Sequence, residues 1–263
     1  MRTLVVGLNE QGLQWQGILG DACVSLVNSI QEVPIASYDA VIICVGNDHK
    51  YSVARYALVN EKHALVIAPL WVNKLAHLEE LQQIAAKNAC VLYAAYPARF
   101  EPDFTHLQQS IVKKQIGEIY HCRITHAANQ ESNSNGALID LTPQLLSLLW
   151  DWFGAEAVPN NLRIVHKDAF GRHVIFADFD AKCTFELEAN FFAVNNSINV
   201  EIYGARDTLR VTYFYDLMVP ELRAAHAHFM QMCAQEHAST DPSSDKWIYE
   251  ELDRLSSEQT LLA

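Results

Sequence analysis

Residues 39–70, DAVIICVGNDHKYSVARYALVNEKHALVIAPL, constrain the fold of this chain more than any other stretch. In DAVIICV, Ala40 to Val45 form an unbroken apolar run, the pattern of a parallel strand covered on both faces. Gly46-Asn47-Asp48 turns the chain, and Val53, Ala54, Ala57 and Leu58 then recur at helical spacing. A second apolar run, Ala64 to Ile67, stops at Pro69. The segment reads as one βαβ unit, and the functional edge of such a unit lies at the carboxyl ends of its strands.

The same alternation fills the N-terminal half. RTLVVG, CVSLV and CVLYAAY read as further strands, and LQWQGIL, Tyr51–Val59 and Leu75–Lys87 as helices. Such alternation predicts a doubly wound parallel sheet with right-handed crossovers. Between Val27 and Asp39 there is too little chain for another full helix and strand. Residues Glu101 to Ile116 read as a connecting helix, after which the period changes to two. In CTFELEA, Cys183, Phe185, Leu187 and Ala189 point one way while Thr184, Glu186 and Glu188 point the other. INVEIYG and TLRVTYF alternate similarly, the mark of an antiparallel sheet with one buried and one wet face. The expected architecture is α/β: a Rossmann-like doubly wound parallel sheet over 1–117, then an α+β domain with a mainly antiparallel open sheet over 118–263. The segment from Ser243 to Leu262 reads as a capped amphipathic helix with Trp247, Ile248, Leu252 and Leu255 inward.

Composition excludes several partners. The net charge of -12 disfavours nucleic acid and anionic membrane surfaces. No apolar run approaches the ~18 residues that span a bilayer, and the N-terminus reads as a strand rather than a signal peptide. The six cysteines are scattered without a C-x-x-C pair, as expected of small buried hydrophobes in a reducing cytoplasm. Among the 11 histidines, His226 and His228 point to different faces of a helix and His121 and His126 to opposite faces of a strand. No metal site is expected.

The first strand runs into Gly7-Leu8-Asn9-Glu10-Gln11-Gly12, which aligns with the dinucleotide fingerprint G-x-G-x-x-G except that Asn9 takes the middle glycine's place. That glycine lets backbone approach a pyrophosphate, whereas Asn, which tolerates left-handed geometry, preserves the turn but adds a side chain. The helix after Gly12 still offers free N–H groups to an anion. The acidic residue expected about 20 positions on, which holds the ribose hydroxyls, is replaced by Asn28-Ser29, with no carboxylate until Glu32. Neutral Asn and Ser accept a ribose or, less well, a 2′-phosphate, so NAD and NADP both stay open. The alternative is a plain strand-to-helix turn.

Beyond these patterns, the chain resembles the family of glucose-fructose oxidoreductase, inositol dehydrogenase and MocA proteins, as a divergent and shortened member. That family has a strand ending in Thr-Pro-Asn, a helix, Gly-Lys-His, and a strand closing on Glu-Lys-Pro. Asn47, Ala54, Leu58, Lys62, His63, Leu65, Pro69 and Leu70 match without a gap. The likeness continues in YPARFEP, QIGEI, GALIDLTPQLLSLLWDWFG, INVEIYGARDTLRV and AHFMQMC, in the family's order. It implies NAD or NADP as cofactor, with Gly46 and Asn47 beside it, and a small-molecule substrate. It also implies a homodimer or tetramer formed through the open face of the second sheet. Here that face carries Lys182, Thr184, Glu186, Glu188, Asn199, Glu201, Arg210 and Thr212, with Tyr203 and Phe214 as anchors.

The family's catalytic pair is absent. Its Glu-Lys-Pro is Ile67-Ala68-Pro69, and the histidine four residues after its aspartate is Gln144, although Gly136 and Asp140 are kept. Alanine has no proton, and an amide hydrogen-bonds a hydroxyl without taking a proton near neutral pH. Thr142-Pro143 reads as an N-cap followed by proline at the first helical position. Asp140 is then a general base, a substrate anchor or a turn-fixing group. Arg99 clamps a carboxylate or phosphate, or else forms a salt bridge between domains. Tyr96 supplies a proton or merely packs. Lys50, with His49 beside it on the turn, is a substitute cation or a solvated lysine. Two functions follow: an NAD(P)-dependent oxidoreductase without the Lys/His pair, or a non-catalytic ligand- or partner-binding protein on the same scaffold.

Overall fold

The computed structural model describes residues 1–70, 75–129, 136–154, 161–167, 173–179, 183–191, 193–215, 218–235 and 242–262. Lys182 lies outside them. The N-terminal half alternates as its pattern requires: β1 (Thr3–Val6), α1 (Glu10–Leu19), β2 (Cys23–Val27), β3 (Ala40–Ile43), α2 (Asn47–Val59), β4 (His63–Ile67), α3 (Leu75–Lys87) and β5 (Leu92–Ala95). The strands pair in parallel in the order β2-β1-β3-β4-β5. Val5, Val41, Ile42, Ile43 and Leu65 are wholly buried, because helices cover both sheet faces. The short stretch after β2 forms two single 3₁₀ turns, Ile30–Glu32 and Ile35–Ser37, where there is no room for a helix and strand.

Helix α4 (Pro102–Val112) begins on Pro102, with Glu101 as a side-chain cap accepting from the Asp103 amide at 3.1 Å. β6 (Ile119–Ala127), α5 (Gly136–Asp140), α6 (Thr142–Phe153), β7 (Arg163–Lys167), β8 (His173–Phe179), β9 (Cys183–Asn190), β10 (Ser197–Gly204) and β11 (Thr208–Phe214) follow. The second sheet has the order β11-β10-β6-β9-β8-β7, and only the β6–β9 pair is parallel. Both sheets have the predicted character.

The period-two pattern decides which face of the second sheet is dry. Ile124, Leu187, Ile198 and Ile202 are fully buried, and Phe185 meets Phe153 of α6 edge-on at 5.1 Å. The opposite face is laced with ion pairs, Arg123 to Glu186 at 3.1 Å and Arg210 to Glu201 at 3.0 Å. Two helices close the chain, α7 (Val219–Ala234) and α8 (Pro242–Leu262). On α8, Ile248, Leu252 and Leu255 are buried as the spacing predicts, and Trp247 lies 5.6 Å from Trp150 of α6.

The chain divides into two compact units: Met1–Pro97 with Val219–Lys246, and Ala98–Met218 with Trp247–Ala263. In the first, α7 returns to the parallel sheet, where Phe229 stacks on Tyr93 of β5 at 6.2 Å.

Candidate functional site

In the first unit, the turn after β1 keeps two of the three glycine roles. Gly7 has a φ of 129°, and a Cβ there would lie 2.6 Å from the Cys44 carbonyl oxygen. A Cβ on Gly12 would lie 2.0 Å from the Gly7 carbonyl oxygen, so α1 crosses the turn too closely for any side chain. Asn9 differs from expectation. Its backbone is extended (φ -139°, ψ 179°), so its tolerance of left-handed geometry is not used. It is instead the N-cap of α1: Oδ1 accepts from the Gly12 amide at 2.9 Å, while Nδ2 donates to the Cys44 carbonyl at 2.6 Å. These partners dictate the amide's orientation, since the N–H needs an acceptor and the carbonyl a donor.

At the end of β2, Asn28 and Ser29 border a cavity of about 280 Å³ shared with Gln31, Val45, His49 and Ser52. The carboxylate closest in sequence is engaged locally. Glu32 accepts the Ser29 amide at 2.8 Å, and the Ser29 hydroxyl bonds to Gln31. Gly46 caps α2 without a side-chain contact, and Asn47 is its first residue. The close glycine crossing, the cavity at the ends of β2 and β3, and the start of α1 fit a nicotinamide dinucleotide. Asn9 places a side chain where the dinucleotide fingerprint keeps glycine.

The end of β4 is built unlike the expectation. Lys50 is not a solvated turn lysine: it is 6% exposed, and its ammonium donates to the carbonyls of Ile67 at 2.8 Å and Pro69 at 2.9 Å. A cation from α2 is thus anchored on the backbone flanking Ala68. Tyr96, just beyond β5, is buried.

In the second unit, Arg99 is held by α6, its Nε 3.2 Å from the Asp151 carboxylate and one terminal nitrogen donating to the Ser147 carbonyl at 3.3 Å. Both partners fall in the same compact unit as Arg99, although they lie on the other side of the boundary expected near residue 117. Asp140 ends α5, and Gln144 lies in the first turn of α6. Thr142 is not the cap its sequence context suggests. The N-cap is Leu141, Thr142 is the first helical residue, and its buried Oγ1 finds no hydrogen-bond partner. The Gln144 Oε1 atom is likewise withdrawn from solvent without a partner.

His126 on β6 organises this corner and had no part in the sequence-based site. Its Nδ1 lies 3.1 Å from the Leu141 carbonyl, and its Nε2 lies 2.5 Å from the Tyr215 hydroxyl. A carbonyl only accepts, so Nδ1 carries the proton, and Nε2 accepts from Tyr215. Burial lowers its pKa to about 4, against which the Leu141 bond is a smaller, opposing influence. The signal was in the pattern: His126 shares the period-two face of Cys122 and Ile124. The structure thus groups Gly7, Asn9, Gly12, Asn28, Ser29, Gly46, Asn47, Lys50 and Tyr96 in the first unit, and Arg99, Asp140 and Gln144 in the second.

No protein-family model matches the sequence, and no curated protein matches it either. Solved structures do. Myo-inositol 2-dehydrogenase from Lactobacillus plantarum superposes with a TM-score of 0.84 at 10% identity, over 99% of this chain and 97% of that one. This chain has the fold of the inositol dehydrogenases. Scyllo-inositol dehydrogenase from Lactobacillus casei, solved with bound NAD(H) and scyllo-inositol, gives a TM-score of 0.80 at 13% identity, covering 98% and 96%. A probable dehydrogenase from Thermotoga maritima gives 0.82 at 14% identity, covering 98% and 96%. The resemblance read from the sequence is borne out at the level of the fold. No described helix is long and apolar enough to cross a membrane.

Proposed function

We propose that this chain is a divergent oxidoreductase-type protein that binds NAD or NADP and acts on a small polar molecule without the usual lysine and histidine. The carrying observation is the crossing of α1 over the β1 turn at Gly7 and Gly12, beside the cavity bordered by Asn28 and Ser29. It lies within a dehydrogenase fold matched over almost the whole chain. The amino end of α1 would take the pyrophosphate, Asn28 and Ser29 the adenosine ribose, and Gly46 and Asn47 the middle of the cofactor. When bound, a nicotinamide supplies hydride chemistry.

The chain's own residues set the proton handling. Ala68 and Gln144 cannot exchange a proton, and Lys50 is committed to the Ile67 and Pro69 carbonyls. Asp140 and Tyr96 remain as the ionisable candidates. Titration with NADH and NADPH, read by energy transfer from the five tryptophans, tests the reading. Saturable binding of either supports it, and no binding of either at millimolar concentration removes it.

The absence of both proton-handling side chains favours a second reading, a ligand- or partner-binding protein on the dehydrogenase scaffold. Nucleotide binding without exchange of the nicotinamide C4 hydrogen, for any polyol or sugar offered, distinguishes it. A homodimer or tetramer belongs to either reading, and light scattering measures it.

A further inference from the structure

The side chain of Asn9 stands where the dinucleotide fingerprint keeps its middle glycine bare. Its Oδ1 takes the Gly12 amide at 2.9 Å, and its Nδ2 takes the Cys44 carbonyl at 2.6 Å. One residue thus ties α1 to the end of β3, across the mouth of the β1 turn. Glu10, in the first turn of α1, adds a carboxylate where the helix end is positive. The chain's own groups therefore complement the helix terminus that a pyrophosphate would otherwise neutralise.

The middle position of a glycine fingerprint is empty of side chain because backbone and phosphate must approach closely. Here the backbone of residue 9 is extended and needs no glycine for its conformation. The asparagine is accommodated without backbone strain.

We propose that Asn9 is a built-in occupant of the phosphate turn, which a pyrophosphate must displace, so that the site selects against dinucleotides relative to nucleosides lacking phosphate. This inference rests on the nucleotide-binding reading above and names the residue that tunes it. Displacement surrenders two internal hydrogen bonds, each of modest net worth, which corresponds to about tenfold in affinity or somewhat more.

The test compares wild type, Asn9→Gly, Asn9→Ala and Asn9→Asp, each titrated with NADH, ADP-ribose and adenosine by calorimetry. Asn9→Gly should tighten NADH and ADP-ribose about tenfold or more and leave adenosine within about twofold. Asn9→Ala should fall between, and Asn9→Asp should bind NADH more weakly than wild type, since it adds a negative charge facing the phosphates. Glycine is an acceptable N-cap, so thermal midpoints should stay within about 3 °C of wild type. Wild type and Asn9→Gly binding NADH equally well would overturn the inference and leave the nucleotide-binding reading standing. Equal tightening of adenosine would also overturn it, by placing the effect away from the phosphates. Failure of every protein to bind any of the three ligands would overturn both.

Discussion

Lowering the pH should unlock the corner that His126 holds, and the size of the effect follows from its surroundings. The ring is buried on the dry face of β6, donating from Nδ1 to Leu141 and accepting at Nε2 from Tyr215. Desolvation disfavours the imidazolium and lowers the pKa from 6.5 to about 4, so the folded state requires the neutral ring. An unfolded chain takes up this proton near pH 6.5, two and a half units earlier. His126 therefore contributes its full stability above pH 6.5, loses it progressively down to about pH 4, and changes little below that. At about 1.36 kcal/mol per unit, the loss totals about 3 kcal/mol. Glutamine offers an N–H for Leu141 and an oxygen for Tyr215 but does not titrate, so His126→Gln is the matched control. Urea unfolding of both proteins from pH 7.5 to 4 should show wild type losing about 3 kcal/mol more than the variant. The lowered pKa values of His63 and His226 are common to both and cancel. Parallel profiles would refute the assignment of a buried, neutral His126.

Further outcomes test other parts of the structure. Lys50→Met removes two charge-assisted bonds from buried carbonyls and should lower unfolding free energy by about 2–4 kcal/mol, after credit for no longer burying an ammonium. A loss below about 0.5 kcal/mol would return Lys50 to the solvated surface. Gly12→Ala places a Cβ 2.0 Å from the Gly7 oxygen, which α1 relieves only by moving. A loss of about 2 kcal/mol or more in denaturant unfolding is expected, and an unchanged midpoint would show that the crossing is loose. Ala68→Lys alone should not create polyol dehydrogenase activity with myo-inositol and NAD, whereas pairing it with Gln144→His supplies both missing groups. Robust NADH formation by the single variant would show that Gln144 is no defect.

Much of this protein is written locally. AVIICV had to be a covered strand because every residue in it is apolar, and CTFELEA had to be half-wet because every second residue is polar. The crossing at Gly7 and Gly12 was legible for a similar reason: glycine marks the places where a side chain has no room. The polar partners were not legible. Asn9 pairs with a carbonyl 35 residues away, Lys50 with carbonyls 17 and 19 away, and His126 with a hydroxyl 89 away. Periodicity tells which face a residue occupies, because burial repeats with the geometry of helix or strand. It says nothing about which distant donor or acceptor meets that residue once the sheet has assembled. The return of α7 to the first sheet has the same origin, since an amphipathic helix specifies that it is covered but not by what. The strands of the first sheet and the dry faces of β9 and β10 were thus determined by the sequence alone, whereas β7 and β8 carried no such signal. Only the tertiary structure decided that the turn asparagine is a cap, the turn lysine a buried clamp and a strand histidine the pin of α6.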